Sequence, residues 1–269
     1  VVEGNVLDPG SFDDALDVDV AFYLIHSMGA GGDYAERDRR AARNFSEAAG
    51  EADLDRVIYL GGLGTDQDDL SPHLRSRREV ERVLALGEYD LTVLRAAIII
   101  GAGSISFQLI RQLAGRLPVM ITPKWVHTEC QPIAIRDVIG YLVGVLDRPE
   151  TAGETYEIGG PEVLTYAEIL RGTRRQLGGK LRIVPVPVLT PRLSSWWIRF
   201  VTDVDPAVAR PLIDGVKNSV VVTDTRIQEI LPRDRLSFEA AVADALGDEP
   251  ATTPTPKARL GRLFRGSKP

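Results

Sequence analysis

Through its first 150 residues the chain alternates short apolar, β-branched runs with amphipathic stretches of helical period, which restricts it to parallel βα units wound about one sheet. The runs are VVEGNV (1–6), VDVAFYLIHS (18–27), DRVIYLGGLG (55–64) and YDLTVLRAAIIIGAG (89–103). The second is apolar without alternation and reads as a strand covered on both faces. Between the runs, a short helix is expected at 11–16 with Ser11 as its cap, and longer helices at 33–50, 71–87 and from Ser106 to Arg116. Parallel crossovers are right-handed, so the economical topology is an α/β, doubly wound parallel sheet.

After Pro118 the alternation loosens. Residues 132–147 read as a helix with an extended entry, TYEIGG (155–160) as a strand, and 164–178 as a helix. That last helix opens with Thr165 followed three residues later by Glu168, a capping box. IVPVPV is extended, while SSWWIRFV and DPAVARPLIDGV have helical patterning. From Asp248 the composition turns to Pro, Thr, Gly, Lys and Arg, that of a disordered tail. The expected division is a nucleotide-binding domain over 1–147, a smaller substrate lobe over 148–247 and a basic tail over 248–269. Lys257, Arg259, Arg262, Arg265 and Lys268 give that tail the means for a weak membrane-surface contact, although such runs more often stay solvated.

Charge narrows the partners. The chain has 32 Lys and Arg against 38 Asp and Glu, a formal net charge of −6, with the bases dispersed among the acids. Nucleic acid is therefore not an expected partner. The single cysteine, Cys130, has His127 three residues before it, but a zinc site needs four ligands and no second cluster supplies the rest, so no metal is expected and Cys130 reads as a packed thiol. No apolar run approaches the ~18 residues of a membrane span, and no basic-then-apolar leader opens the sequence, so a cytoplasmic location is the expectation.

Eight segments in unbroken order across about residues 1–245 carry a family resemblance: VVEGNVLDPGSF, VDVAFYLIHSMG, DRVIYLGGLG, SPHLRSRREVERVL, LTVLRAAIIIGAGS, LPVMITPKWV, QPIAIRDVIGYLVGVLD and YEIGGPEVLTYAEIL. Together they resemble the atypical short-chain dehydrogenase/reductases, in the NmrA-like and nucleotide-sugar-epimerase-like branches. The resemblance implies a Rossmann-type domain, NAD or NADP as cofactor, and reduction or isomerisation of a small molecule. It also implies an alternative, a non-catalytic nucleotide sensor or assembly factor, because the same branch includes an accessory subunit of respiratory complex I.

The resemblance assigns roles residue by residue. Asn5 and Val6 stand where the family meets adenine, and Leu24, Ile25 and His26 where its backbone runs beneath the ribose and pyrophosphate. Gly61 and Gly62 occupy the position of the family's catalytic serine, without a hydroxyl. Its catalytic tyrosine and lysine, four residues apart on one helix, correspond to His73 and Arg77. Arginine stays cationic and still reaches ribose or phosphate oxygens, but it does not act as lysine does near neutrality. The pair reads equally as two surface residues on a charged helix. Ala96, Ala97 and Ile98 are implied to line the carboxamide end of the nicotinamide. Lys124 and Trp125 are implied to face the substrate in a mostly apolar pocket, Asp137 to bridge loops, and Trp196 and Trp197 to serve the lobe core or an oligomer surface.

One expected element is not found. The family's glycine-rich first turn, which brings the pyrophosphate onto a helix N-terminus, has no counterpart ahead of VVEGNV. The fold is therefore expected to be N-terminally incomplete by about one βαβ unit, roughly 30 residues. Its sheet would then begin at residues 1–6, and its affinity for NAD or NADP would be poor.

Overall fold

The computed structural model describes residues 1–27, 33–64, 70–186 and 202–248. The first half comprises β1 (Val20–Tyr23), α1 (Tyr34–Glu51), β2 (Arg56–Gly62), α2 (Pro72–Leu84), β3 (Asp90–Ala96), β4 (Ile99–Ile100), α3 (Ile105–Arg116) and β5 (Val119–Thr122). There follow β6 (Glu129–Cys130), β7 (Ile133–Ala134), α4 (Ile135–Gly144), β8 (Thr155–Ile158), β9 (Leu164–Thr165) and α5 (Tyr166–Gln176). Last come β10 (Arg182–Pro185), α6 (Pro206–Gly215), α7 (Arg226–Ile230) and α8 (Phe238–Gly247).

The main sheet has the order β1-β2-β3-β8, and every neighbouring pair is parallel. Its central strands read as continuous apolar runs because both faces are covered. On one face Val57, Tyr59 and Val93 meet Ala42, Phe45 and Ala49 of α1 and Val80 and Leu84 of α2. The small alanines at 41, 42 and 49 let α1 lie close to the sheet, and Phe45 fills the gap beside Tyr23, ring centroids 4.9 Å apart. On the other face Ile58, Leu94 and Ala96 meet Val138, Tyr141 and Leu142 of α4 and Ile227 of α7. This is the doubly wound arrangement the alternation requires.

A second core, around Phe107, Ile110, Met120, Ile169, Leu170, Phe238 and Val242, joins α3, α5 and α8. Here β5 and β10 pair in parallel, Met120 opposite Ile183. The capping box at the start of α5 forms as its sequence implies: Thr165 Oγ1 accepts from the Glu168 amide, and the Glu168 carboxylate accepts from the Thr165 amide at 2.7 Å.

Several expectations are corrected. VVEGNV is not a strand: residues 1–5 are exposed and carry no regular structure, so the sheet edge is β1. Local side-chain bonds take up that backbone instead, with Leu7 N–H donating to Asn5 Oδ1 and Asn5 N–H to Ser11 Oγ. Ser11 is thereby used in a turn, and the short helix shrinks to a 3-10 turn at Asp13–Ala15 without a side-chain cap. Residues 18–27 yield only the four-residue β1, which lies at the edge of the described sheet and leaves Phe22 exposed. β8, which lies in the stretch assigned to the second lobe, pairs in parallel with β3 of the main sheet. The tail from 249 onward and the Trp196 and Trp197 positions lie outside the described residues.

Candidate functional site

Ligands of open α/β sheets sit beyond the carboxyl ends of the strands, and a cavity opens there with an empty volume of about 900 Å³. Its floor is Gly62 and Leu63 at the end of β2 and Ala96, Ala97 and Ile98 at the end of β3. His73 and Leu74 enter from the first turn of α2, where Ser71 caps the helix and Pro72 sets its direction. α3 contributes Ser106, Leu109, Ile110 and Leu113, and the turn at Lys124–His127 contributes Trp125. Tyr166 and Leu170 of α5, Leu212 and Ile213 of α6, and Val216 and Val220 complete the wall.

Among the described residues, no lining side chain carries a charge at neutral pH. Burial, then the neighbouring Arg77 guanidinium, lowers His73 to about 4, leaving the imidazole neutral. Burial also pushes the Cys130 thiol up to about 11 and the Tyr166 phenol well above its usual range, and these two groups bond to each other. Cys130 is thus a packed thiol, as its isolation in the sequence implies. Trp125 meets Tyr166 edge to face, centroids 6.5 Å apart, so each fixes the other's ring.

Arg77 lies one turn further along α2 and is not a surface residue. It is buried and ion-paired through Nη2 to Asp38 Oδ2 of α1, whose carboxylate is 3% exposed. The other Asp38 oxygen accepts from Ser27 N–H at 2.6 Å, and Arg77 Nη1 donates to Ile25 O at 3.4 Å. One buried ion pair thus ties α1, α2 and the segment following β1 together. His26 is exposed, and its imidazole is held below its usual pKa by partial burial and by Arg77. Arg77 Nε is buried without a hydrogen-bond partner.

The structure brings together Gly62, His73, Ala96, Ala97, Ile98 and Trp125 around one cavity. The remaining sequence candidates stand apart from its wall. Gly61 packs within the sheet, where a Cβ would come within 3.1 Å of Tyr59 and 3.6 Å of Val93. Gly62 admits α2, since a Cβ there would meet Leu74 at 3.0 Å and Arg77 at 3.5 Å. Asn5 spends its side chain on its own turn, Val6 O accepts from Asn44 Nδ2 at 2.9 Å, Leu24 is exposed, and Ile25 packs against the α1 face. The side chain of Lys124 lies outside what is described. Asp137 is buried and accepts from Leu236 N–H at 2.9 Å, a bridge between α4 and the segment before α8.

Sequence reasoning passed over Asp38, Tyr166 and the α6 residues. Asp38 left a signal: it falls on the buried stripe of α1 with Ala41, Ala42, Phe45 and Ala49, and an acid on such a stripe implies a buried partner.

A dinucleotide needs a place for its ring and a place for its phosphates. The neutral, mostly apolar cavity at the ends of β2 and β3 suits a nicotinamide ring. For the phosphates, the described 101–104 turn offers little: Ser104 Oγ caps α3 itself, and a Cβ at Gly101 would be 3.0 Å from Ile135. The connections after β1 and β2 pass through 28–32 and 65–69, outside the described residues.

No protein-family model matches the chain. Over 163 residues it is 26% identical to the mitochondrial NADH-ubiquinone oxidoreductase 40 kDa subunit of Neurospora crassa, covering 58% of this chain and 42% of that protein. The chain thus spans less than half the length of that relative. Among solved structures, a nucleoside-diphosphate-sugar epimerase from Staphylococcus aureus superposes with a TM-score of 0.71 at 14% identity, over 90% of this chain and 83% of the other. An NADPH-dependent quinone oxidoreductase from Escherichia coli, solved with NADPH, gives 0.71 at 18% identity over 90% and 81%. The expectation of a cytoplasmic protein is withdrawn, because the Neurospora relative and two further matched relatives, from Dictyostelium discoideum and Arabidopsis thaliana, are mitochondrial subunits. None of the described helices is long and apolar enough to cross a membrane. With its parallel sheet, helices on both faces and cavity at the strand ends, the chain has the Rossmann-type fold of the atypical short-chain dehydrogenase/reductases and nucleotide-sugar epimerases that its sequence resembles.

Proposed function

We propose that the chain binds a nicotinamide dinucleotide, NAD or NADP, with the nicotinamide against Gly62, Ala96, Ala97 and Ile98, and admits a small-molecule substrate beside Trp125 for reduction or isomerisation. The observation that carries this reading is the convergence of those residues with His73 on one cavity at the carboxyl ends of β2 and β3. Such a cofactor, when bound, supplies or accepts a hydride. The chain's own groups exclude water with the apolar wall and offer an uncharged imidazole at His73, which at pH 7 has one ring N–H to donate and one ring nitrogen to accept a hydrogen bond. Asn5, Val6, Leu24, Ile25 and His26 are assigned to the adenosine half on the resemblance alone.

A second reading, a non-catalytic nucleotide-binding or assembly subunit, is favoured by a specific observation. Arg77, at the position of the family's catalytic lysine, is committed to Asp38. Together with glycines at the serine position, this leaves no lysine-assisted proton relay. Protein partners resembling those of the complex I relatives belong to this reading.

Calorimetric titration with NAD, NADH, NADP and NADPH, followed by turnover assays over quinones, enones and sugar nucleotides, separates the two. Binding with turnover supports the enzyme; binding without turnover supports the subunit. No binding of any of the four nucleotides overturns both.

A further inference from the structure

The chemistry of the cavity wall is more specific than its position, and it deepens the reading above, resting on the same cavity. A nucleotide-sugar brings a diphosphate, which in a buried site requires cations or several N–H donors. The described wall offers neither lysine nor arginine. It offers leucine, isoleucine and valine from four elements, the Trp125 and Tyr166 rings, and few polar atoms beyond the His73 imidazole and the Ser106 hydroxyl. The Tyr166 hydroxyl is already engaged with Cys130.

We infer that the substrate cavity takes a neutral molecule with an aromatic or hydrocarbon body and a single hydrogen-bonding end, and that it rejects nucleotide-sugars. Two features support this. The wall facing α6, with Leu109, Leu113, Leu212, Ile213 and Val216, is apolar throughout and matches the body of such a ligand. His73 stands away from these residues, beside the ends of β2 and β3, so its imidazole orients one polar end toward the proposed nicotinamide position, while Ser106 is a lone hydroxyl on the same α3 face as Leu109 and Leu113.

The test is calorimetric titration of the chain, without any nucleotide, with 2-acetylnaphthalene, a neutral aryl ketone, and separately with UDP-glucose. Leaving out the nucleotide keeps this result independent of whether NAD or NADP binds. The ketone is expected to bind with a negative heat-capacity change, the mark of apolar burial, and UDP-glucose in 100-fold excess, about the ratio that separates a discriminating site from a tolerant one, is expected not to displace it. Ile213 is half-buried, so Ile213→Asp places a carboxylate in the wall at a position that still reaches water. This change is expected to weaken ketone binding by about tenfold or more, whereas Ile213→Leu leaves it within about threefold. The inference is overturned if the ketone does not bind up to its solubility limit, if UDP-glucose displaces it, or if a folded Ile213→Asp protein binds it as the parent does. The displacement arm uses only the parent chain and stands even if the aspartate variant fails to fold.

Discussion

Replacing Asp38 with asparagine tests the ion pair that joins α1 to α2. The change preserves shape and leaves an amide oxygen for Ser27 N–H, but it strands the Arg77 guanidinium, whose side chain is only 10% exposed. Removing one partner of a buried pair costs about 3–5 kcal/mol, mostly because the surviving charge stays buried. With a urea slope of about 2–3 kcal/mol per molar, that loss lowers the unfolding midpoint by about 1–2.5 M. The double change Asp38→Leu with Arg77→Met removes both charges. Apolar replacement of a buried pair is typically neutral to favourable, while the orphaned Ser27 N–H costs about 1–3 kcal/mol, so the double variant is expected nearer the parent than Asp38→Asn is. Urea unfolding followed by circular dichroism reads all three proteins. An Asp38→Asn unfolding free energy matching the parent within about 0.5 kcal/mol, or a double variant less stable than Asp38→Asn, refutes the reasoning.

Three further outcomes are expected. His73 stays neutral in the fold down to about pH 4, whereas in the unfolded chain it gains a proton near its ordinary 6.5. Its contribution to stability is therefore complete above about pH 6.5 and declines between 6.5 and 4, and His73→Gln should flatten that decline in thermal melts across this window. If His73 acts only as a hydrogen-bonding group, His73→Ala leaves any nucleotide-dependent turnover within a few-fold of the parent; a loss of about 10²–10⁴-fold identifies a general acid or base instead. At Gly160 a Cβ would overlap the carbonyl oxygen of Pro132, while at Gly103 it would meet nothing within 4 Å, so Gly160→Ala should lower the melting temperature by about 3–10 °C and Gly103→Ala by little.

The central strands and the α5 capping box were legible because each rests on a local rule: apolar continuity for β2 and β3, and a three-residue spacing for Thr165 and Glu168. Apolar continuity does not report how a strand is covered, which is why 18–27 reads as a strand buried on both faces and yields a four-residue strand with Phe22 exposed. VVEGNV has the composition of a strand, but the side chains of Asn5 and Ser11 claim its backbone locally, and no partner strand competes for it among the described residues. At the site, residues next to strand ends were found from their order along the chain. The α6 wall was not, since Leu212, Ile213 and Val216 meet Leu109 and Leu113 only across a sequence separation of about a hundred residues, and nothing in their pattern distinguishes a cavity wall from an ordinary core face. Arg77 illustrates the same limit: its spacing from His73 is visible in the sequence, its partner Asp38 on another helix is not.

The β1 edge bears on how residues 1–269 behave at high concentration when nothing further pairs with it. Among the described residues β1 pairs only with β2, so the N–H and C=O groups on its other side have no strand partner there, and Phe22 and Leu24 leave apolar surface beside them. Ile139 and Val143 of α4 are also exposed. Soluble proteins guard such edges with lysine, proline or a covering segment, and the sequence VAFY offers none of these guards. A chain with this edge uncovered can add a strand from another copy, and its association then rises with concentration and with conditions that strengthen apolar contact, such as sulfate salts or moderate warming.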